Sequence, residues 1–383
     1  MVLPMLAFLA GEGWGKARGI FGNCAFSLEI MNGKVFVKER NRLREMRKHP
    51  ASVFDELLSR GYWGVGYLGY EFFKYLKSGF PPSSGKDGSI GPEAAVMFFE
   101  SREKASELLE GDGRDFGRCG ELVPNLSRGE FIGMVKRVKE YIAAGDVYQV
   151  NLSQRLDFTI KSDPTAIFRR FYQVQPVPYG CYLDFGRWKL LSGSMELFLR
   201  KSGRKIVTRP IKGTREKRGA ELLRSEKERA ENLMIVDLMR NDLGRVCEFG
   251  SIRVNDLFKV EKYNTLYQMV SEVEGKLREE ASFWDTLEAT FPPGSVTGAP
   301  KRRAMEIINE LEPHLRGPYC GAIGVLEPNG DFTLSVAIRV MGMNGMRGSI
   351  WVGGGITWGS IPRMEYEETL LKGRAAMMAL GIK

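Results

Sequence analysis

Acidic and basic side chains recur at helical spacing near the end of the chain. Glu365, Glu368 and Lys372 are three and four residues apart, so a helix would place all three on one face. The glycines at 353–355 precede them, and a glycine backbone can approach a ligand closely and offer N–H groups to an anion. Together these residues could bind a metal ion and a carboxylate. Taken alone, the segment is better interpreted as an exposed row of salt bridges after a flexible loop.

Two further glutamates, Glu228 and Glu231, are three residues apart in a strongly charged segment. If the segment is helical, both lie on one face. Magnesium prefers hard oxygen ligands, commonly one or two carboxylates completed by substrate oxygens and water. One glutamate from each of two helices would meet that need, although exposed charge on a helix is a strong alternative.

Lys212 lies in the segment 209–215, which reads Arg-Pro-Ile-Lys-Gly-Thr-Arg. A nucleophilic lysine must lose its proton, and the ordinary lysine pKa is about 10.4. Burial or the two flanking arginines would lower this pKa. The alternative is an ordinary loop lysine. The only two histidines, His49 and His314, are both expected at the surface, so acid–base chemistry would fall to carboxylates and lysines.

Hydrophobic periodicity, caps and turns predict the elements that must carry these residues. Ser127 and Glu130 form a capping box at the start of a helix. The Pro-Asn-Gly turn at 328–330 and the Asn-Gly turn at 344–345 predict two hairpins. The other predicted elements are a strand at 146–152 and helices at 218–239, 300–311 and 363–380. Hairpins separated by helices, without regular βαβ alternation, indicate an α+β fold on antiparallel sheet.

Composition and charge exclude several classes of protein. The net charge is +9, but basic and acidic residues are interleaved, which argues against a nucleic-acid-binding protein. Five scattered cysteines without CxxC spacing argue against disulfides or a zinc site and favour a cytoplasmic location. No apolar run is long enough to span a membrane, and the apolar start is expected to be a strand rather than a signal peptide.

Residues 64–69 match the pattern GxGxxG. A dinucleotide site requires a helix that opens directly on the glycines, whereas an aromatic run follows here. The pattern is therefore interpreted as a glycine-rich strand.

Five segments carry a resemblance to a known family. They are residues 146–155, 209–215, 228–246, 291–312 and 353–372. Together they resemble the chorismate-utilising enzymes, which include anthranilate synthase component I, aminodeoxychorismate synthase component I, and the isochorismate and salicylate synthases. The resemblance covers residues 126–383 as a chorismate-binding catalytic region, and residues 1–125 look like a shortened N-terminal part of the same fold. It implies an α+β fold of two large antiparallel β-sheets packed as a sandwich with surrounding helices.

The resemblance also implies a magnesium site and a substrate site. Glu231 and Glu368 would bind Mg²⁺, with Glu228 as a further acidic ligand. The residues implied at the substrate chorismate are Ser295, Tyr319, Arg339, Gly353, Gly354, Gly355, Lys372, Thr214 and Gln268. Within that set, the glycines and the lysine would hold carboxylate oxygens, and the tyrosine and the arginine would hold the pyruvyl side chain.

Two positions distinguish the members of the family. Isochorismate and salicylate synthases have a water-activating lysine at the position of Gln149, and glutamine is no such base. Anthranilate synthases normally have alanine at the position of Lys212, whereas lysine is characteristic of aminodeoxychorismate synthases. The resemblance therefore implies that Lys212 attacks chorismate as a covalent nucleophile, with Glu196 as the general acid.

The implied product is 4-amino-4-deoxychorismate, for p-aminobenzoate and folate synthesis. Ammonia would come from a glutamine amidotransferase subunit, since no Cys-His-Glu glutaminase signature is found in the chain. The alternative is anthranilate synthase component I, of tryptophan biosynthesis, which adds ammonia at C2 and eliminates pyruvate. Gln268 stands where anthranilate synthases have a histidine tied to that elimination, and this argues against the alternative.

Overall fold

A computed structural model describes residues 5–39, 42–79, 86–88, 91–103, 119–215, 219–262 and 267–382. Two large antiparallel β-sheets pack against each other, and helices surround them, which confirms the predicted α+β sandwich. No helix in these ranges combines the length and the apolar character needed to cross a lipid bilayer.

The first sheet contains nine strands in the described residues. In order across the sheet they are β17 (Gly298–Ala299), β9 (Gln149–Thr159), β21 (Arg347–Ile356), β20 (Val340–Asn344), β11 (Trp188–Ser194), β10 (Tyr179–Asp184), β1 (Leu6–Leu9) and β2 (Gly19–Phe21), with β8 (Val123–Pro124) also on β9. The long pair β9 and β21 runs in register from Thr159 opposite Arg347 to Val150 opposite Ile356.

The second sheet contains twelve strands in the same ranges. They are β14 (Ile211–Arg215), β16 (Tyr267–Lys276), β13 (Lys205–Arg209), β12 (Leu197–Ser202), β19 (Phe332–Val336), β18 (Ala322–Leu326), β6 (Trp63–Leu68), β7 (Ala94–Phe99), β3 (Phe26–Met31), β4 (Lys34–Glu39) and β5 (Arg42–Met46), with β15 (Arg253–Lys262) also on β16. The pairs β18–β19 and β20–β21 are the two predicted hairpins.

The described helices are α1 (Pro50–Leu58), α2 (Arg128–Ala143), α3 (Pro164–Val174), α4 (Ala220–Arg224), α5 (Glu226–Gly244), α6 (Phe283–Thr290), α7 (Lys301–Leu311) and α8 (Pro362–Ala379). The predicted capping box of α2 is confirmed, because Ser127 Oγ accepts from Glu130 N at 3.2 Å and Glu130 accepts from Ser127 N at 2.7 Å. The predicted helix 218–239 is instead two helices. Ser225 separates them, since its hydroxyl accepts from Glu228 N and caps α5.

Apolar side chains fill two layers. The larger cluster lies between the sheets and includes Leu9 of β1 and Val65 of β6. The smaller cluster covers the outer face of the first sheet, where Phe168 of α3 and Ala376 of α8 pack on strand residues such as Leu156. The first sheet is therefore covered on both faces, so its long strands β9 and β21 are buried along most of their length.

Strands from before and after residue 125 share both sheets. In the first sheet β1 pairs with β10, and in the second β6 pairs with β18. The proposed division into 1–125 and 126–383 remains a statement about sequence resemblance. The glycine-rich stretch 64–69 begins as strand β6, as predicted. Gly66 packs so closely on β7 that an added Cβ would lie 2.1 Å from Ala95 O.

The prediction of two surface histidines is half wrong. His49 is exposed, but His314 is only 1% exposed. The loop that follows α7 turns inward because Asp87 bonds its backbone on both sides of His314. The imidazole then contacts Asn125 Nδ2 at 2.9 Å and Ser153 Oγ at 3.3 Å.

Candidate active site

A broken strand positions Lys212. Pro210 has no N–H and interrupts the ladder, so β16 pairs with β13 along one half and with β14 along the other. A bulge follows at Gly213, whose φ of +80° suits glycine. An added Cβ there would lie 2.8 Å from Glu228 Oε2. The backbone of Lys212 is thereby held in a fixed position, and the residue is half-buried.

Lys212, Ser295 and Glu196 form one polar group between β14, the junction of β11 with β12, and a 3₁₀ turn at Gly294–Val296. Lys212 Nζ donates to Ser295 O at 3.1 Å. The Ser295 hydroxyl and the Ile211 N–H both donate to the Glu196 carboxylate. Glu196 is only 4% exposed. A serine therefore connects a buried carboxyl to a lysine ammonium.

Burial shifts both titratable groups toward their neutral forms. It raises the pKa of Glu196 to about 7, although Ser295, Lys212 and the Ile211 N–H oppose the rise. Burial also lowers the pKa of Lys212, against the attraction of the Glu231 and Glu196 carboxylates. A carboxyl poised near neutral pH beside an easily deprotonated amine is suited to proton transfer and nucleophilic attack.

The three glycines of β21 lie in an open cradle. Within the described residues β20 pairs with β21 only as far as Ile350, so glycines 353–355 are paired on the β9 side alone. An added Cβ on Gly354 would lie 3.4 Å from Lys372 Nζ, and one on Gly355 would lie 3.0 Å from Gln149 Nε2. Glycine is required most clearly at 353, where an added Cβ would lie 2.5 Å from the backbone oxygen of Leu152.

Tyr319 and Lys372 flank this cradle. An added Cβ on Gly353 would lie 2.7 Å from the Tyr319 hydroxyl, which accepts from the Asn151 amide. Lys372 Nζ donates to Gly353 O at 3.2 Å and pairs with Glu368 Oε1 at 2.8 Å. The cradle thus combines a phenol, an ammonium and open backbone, which together can hold an anionic ligand.

Arg339 lies between β19 and β20 with φ of +52°, a conformation that non-glycine residues rarely adopt. Its guanidinium donates to Lys372 O. Burial lowers its pKa to about 10, although Tyr319 and Glu368 favour the charged form. The cation is held beside Tyr319 and Lys372.

Carboxylates from α5 and α8 gather at the same side of the site. Burial raises the pKa of Glu231, and the Glu228 and Glu365 carboxylates add to the rise. Burial also raises the pKa of Glu365, and Glu368 contributes. For Glu368 the nearby Lys372 ammonium outweighs burial and lowers the pKa. Mutual repulsion among hard oxygen donors is the environment that a divalent cation relieves.

Glu231 of α5 and Glu368 of α8, whose carboxylates both act on Lys212, are the residues that would hold magnesium. In the described ranges, no three His, Cys, Asp or Glu side chains form a ready-made metal cage. Two carboxylates completed by substrate oxygens and water is a common magnesium ligand set. Glu228 is drawn elsewhere, since its Oε1 lies 3.7 Å from Arg215 Nη2.

Two other predicted residues are less closely connected to this group. The Gln268 amide donates to the sulfur of Met195, and its Oε1 is buried without a hydrogen-bond partner in the described part of the chain. Thr214 pairs through its backbone with Gln268, and its side chain lies outside the described structure.

Sequence reasoning missed Asn151, whose amide contacts Tyr319. It considered Gln149 only as the replacement of a lysine, whereas the structure buries Gln149 fully beside Gly355 with both amide atoms unpartnered in the described structure. Both lie on β9 at alternate positions, which is the signal that could have found them. A buried pair, Glu312 and Arg316, lies behind β9 and had no sequence signal beyond its spacing of four residues.

The profile of the chorismate binding enzyme family matches residues 6–378. The chain belongs to the chorismate-binding enzyme family. Its relatives in this family include "Anthranilate synthase component 1" of Aquifex aeolicus, at 36% identity over 97% of this chain and 87% of that protein. Another is "Aminodeoxychorismate synthase component 1" of Bacillus subtilis, at 41% identity over 68% of this chain and 58% of that protein.

Solved structures of chorismate-binding enzymes have the same architecture. Anthranilate synthase component I from Streptococcus pneumoniae superimposes with a TM-score of 0.82 at 26% identity, covering 98% of this chain and 92% of that one. The menaquinone-specific isochorismate synthase of Escherichia coli, at 16% identity and a TM-score of 0.71, shares the fold.

Proposed function

We propose that this chorismate-binding enzyme is an aminodeoxychorismate synthase subunit, which converts chorismate and ammonia to 4-amino-4-deoxychorismate. The observation that carries the proposal is the Lys212–Ser295–Glu196 group. It contains a lysine whose pKa is lowered by burial and a carboxyl whose pKa is about 7. A nucleophile and a proton donor are both required if an amine displaces a hydroxyl from the ring.

In the first step the neutral Lys212 amine attacks C2 of chorismate. The Nζ–C2 bond forms, the ring double bonds shift, and the C4–O bond breaks. Glu196 donates its proton to the departing hydroxyl, which leaves as water. Because Glu196 is buried and its pKa is near 7, it is protonated often enough at neutral pH to act as the acid.

In the second step ammonia attacks C4 and the C2–Nζ bond breaks. Lys212 leaves as a neutral amine, and the Glu196 carboxylate takes a proton from the new ammonium group. Chorismate and ammonia thereby give 4-amino-4-deoxychorismate and water, with both residues restored. The ammonia is proposed to come from a glutamine amidotransferase subunit, and the product serves p-aminobenzoate and folate synthesis.

The rest of the site would hold the substrate during both steps. Lys372, Arg339 and Tyr319 offer two cations and a hydroxyl beside the glycine cradle, which suits the two carboxylates of chorismate. Glu231 and Glu368 would hold Mg²⁺. When bound, this ion supplies charge neutralisation for a substrate carboxylate.

Anthranilate synthase component I is the second candidate. The names of several relatives, including the Aquifex aeolicus protein and the Streptococcus pneumoniae structure, favour it. Fold, metal site and ammonia partner would be the same, but ammonia would add at C2 and pyruvate would leave. A lysine poised toward C2 would compete with ammonia there, and this is why we prefer the first candidate.

Product analysis separates the two candidates. The pure chain is incubated with chorismate, Mg²⁺ and ammonium at mildly alkaline pH, and products are identified by chromatography and mass spectrometry. We expect aminodeoxychorismate, reduced at least about 100-fold in Lys212→Ala because the nucleophile is lost. Lys205→Ala, an exposed lysine paired with Glu274 on the neighbouring strand, is the control. Anthranilate that forms in wild type and persists in Lys212→Ala would overturn the proposal.

A further inference from the structure

Glu312 and Arg316 form a buried bidentate ion pair behind the substrate cradle. Both side chains are 1% exposed. Arg316 Nε donates to Glu312 Oε2 at 2.8 Å, and Nη2 donates to Oε1 at 2.6 Å. The guanidinium also lies over the ring of Tyr70, 4.7 Å from its centroid. A desolvated pair with this geometry holds its partners rigidly, because neither charge can be left alone in the interior.

The pair is bonded to the strand that faces the glycine cradle. Glu312 Oε1 accepts from Ser153 N at 2.7 Å and from Ser153 Oγ at 2.9 Å. Arg316 Nη2 donates to Asn151 O at 2.6 Å. Ser153 lies opposite Gly353, and Asn151 lies opposite Gly355. The ion pair is therefore fixed to both ends of the glycine segment through β9.

The same guanidinium reaches the turn that carries Ser295. Arg316 Nη1 donates at 3.2 Å to Val296 O, the carbonyl of the residue that follows Ser295. Ser295 in turn bonds to both Glu196 and Lys212. Arg316 also accepts at its backbone carbonyl from Tyr319 N at 3.1 Å. One residue thus connects the cradle strand and the Ser295 turn through its side chain, and the loop of Tyr319 through its backbone.

We propose that Glu312 and Arg316 are positioning residues, which fix the Ser295 turn, and with it Lys212 and Glu196, relative to the substrate held on the glycine cradle. The β9–β21 ladder keeps the cradle intact without the pair, whereas the Ser295 turn has no strand ladder of comparable length. Loss of the Glu312–Arg316 pair should therefore misplace the reacting groups more than it weakens substrate binding.

The test compares kcat with KM in two variants. Arg316→Lys keeps the charge that Glu312 needs but cannot bond to Asn151 O, Val296 O and both carboxylate oxygens together. We expect kcat for chorismate consumption to fall about 10- to 100-fold, with KM within about threefold, since misplacement by about 1 Å can cost on the order of 100-fold in rate. The double variant Glu312→Met, Arg316→Met removes both charges, so that neither remains buried alone, and should show the same split.

A second buried pair provides the matched control. Asp242 and Lys301 are similarly enclosed, but they join α5 to the ends of α6 and α7. Asp242→Leu, Lys301→Met should shift Tm, with kcat within about threefold of wild type. If Arg316→Lys is folded and also keeps kcat within threefold, the positioning role is refuted. If the double Met variant does not fold, Arg316→Lys decides the matter alone.

The inference rests on the proposed function only for the reaction that is followed. Because chorismate consumption is measured whatever the product, the kcat values test the positioning role even if wild type makes anthranilate. Product identity, recorded in the same samples, tests the aminodeoxychorismate assignment. The two failures are therefore distinguishable.

Discussion

Two buried acid–base pairs lie close together in this protein, and they behave in opposite ways. Arg316 bonds directly to Glu312 and holds the pKa of that carboxyl below its ordinary value despite burial. Glu196 is equally enclosed, but Ser295 stands between it and Lys212, and its pKa is raised to about 7. Burial is common to both carboxyls. The direct partner therefore decides the charge state: the guanidinium of Arg316 fixes the charge of Glu312, whereas the uncharged donors Ser295 Oγ and Ile211 N leave the charge of Glu196 adjustable.

Because their charge states differ, the two carboxyls can serve different purposes, one structural and one catalytic. A carboxylate locked to a guanidinium cannot give or take a proton near pH 7, but it can hold backbone in place. A carboxyl near its midpoint can exchange protons but holds its surroundings less firmly. The protein uses the first kind behind the cradle and the second kind beside Lys212.

The largest expected effect comes from removing the proton that the Glu196 carboxyl donates. Glu196→Gln keeps the shape of the side chain but cannot donate a proton to the leaving hydroxyl. We expect kcat to fall by about 10²- to 10⁴-fold, with KM changed only a few-fold. Steady-state kinetics of chorismate consumption measure both values.

The control for this variant is Glu306→Gln, a partly exposed carboxylate on α7 that pairs with Arg303. Its kcat should stay within about twofold of wild type. A Glu196→Gln enzyme that retains more than a tenth of the wild-type kcat would show that proton donation by Glu196 is not required.

A smaller effect is expected from Ser295→Ala. The Ser295 hydroxyl donates to the Glu196 carboxylate and lowers its pKa, so its removal should raise that pKa above about 7. A general acid must be protonated, and activity is therefore lost as pH rises through its pKa. The alkaline limb of kcat should move upward by about one pH unit, and kcat itself should fall about 10-fold.

Rate profiles between pH 6 and 9 test this shift. Ser295→Thr keeps the hydroxyl and should keep the wild-type limb. If Glu196→Gln abolishes the alkaline limb but Ser295→Ala does not move it, Ser295 does not control the pKa of Glu196.

The smallest expected effect is on the pH dependence of the free energy of unfolding, and it comes from His314, next to the Glu312–Arg316 pair. Burial lowers the pKa of His314 to about 4, below its ordinary 6.5, although the Glu312 carboxylate opposes the shift. The unfolded chain then binds the proton more readily than the folded chain. The stabilisation that neutral His314 provides is therefore complete above pH 6.5 and is lost as pH falls toward 4. The loss approaches about 1 kcal/mol per pH unit.

Urea unfolding of wild type and His314→Gln between pH 7.5 and 4.5 measures this contribution. The free energy of unfolding should fall less steeply in the variant. His49→Gln, which alters the exposed histidine, should follow wild type. Parallel slopes for wild type and His314→Gln would mean that His314 is not held neutral by burial.

Local signals were sufficient for much of the fold. The Asn-Gly turn at 344–345 gave the hairpin, and the capping box at Ser127 gave the start of α2, because both depend on neighbours within a few residues. The predicted helix across Ser225 was wrong for the same reason. A serine that caps the next helix resembles any polar residue in a charged run until the backbone is known.

Long-range contacts account for what the sequence left undetermined at the site. Motif resemblance predicted roles for Lys212, Glu196 and the cradle glycines, but nothing in it related Ser295 to both Lys212 and Glu196. His314 is buried because Asp87 and Asn125, both far away in the chain, bond to it and its loop. Arg316 follows Pro313 in an unremarkable loop sequence, and its role depends on two carbonyl groups from other segments.

The pairing of β1 with β10 has a consequence for biosynthesis. Trp14 donates its indole N–H to Gly180 O, 166 residues further along the chain. On a ribosome that adds roughly 5–20 residues per second, the first strands therefore emerge about 8 to 33 seconds before their partner exists. During that interval the apolar β1 has an unpaired edge, and this segment of the nascent chain needs chaperone protection.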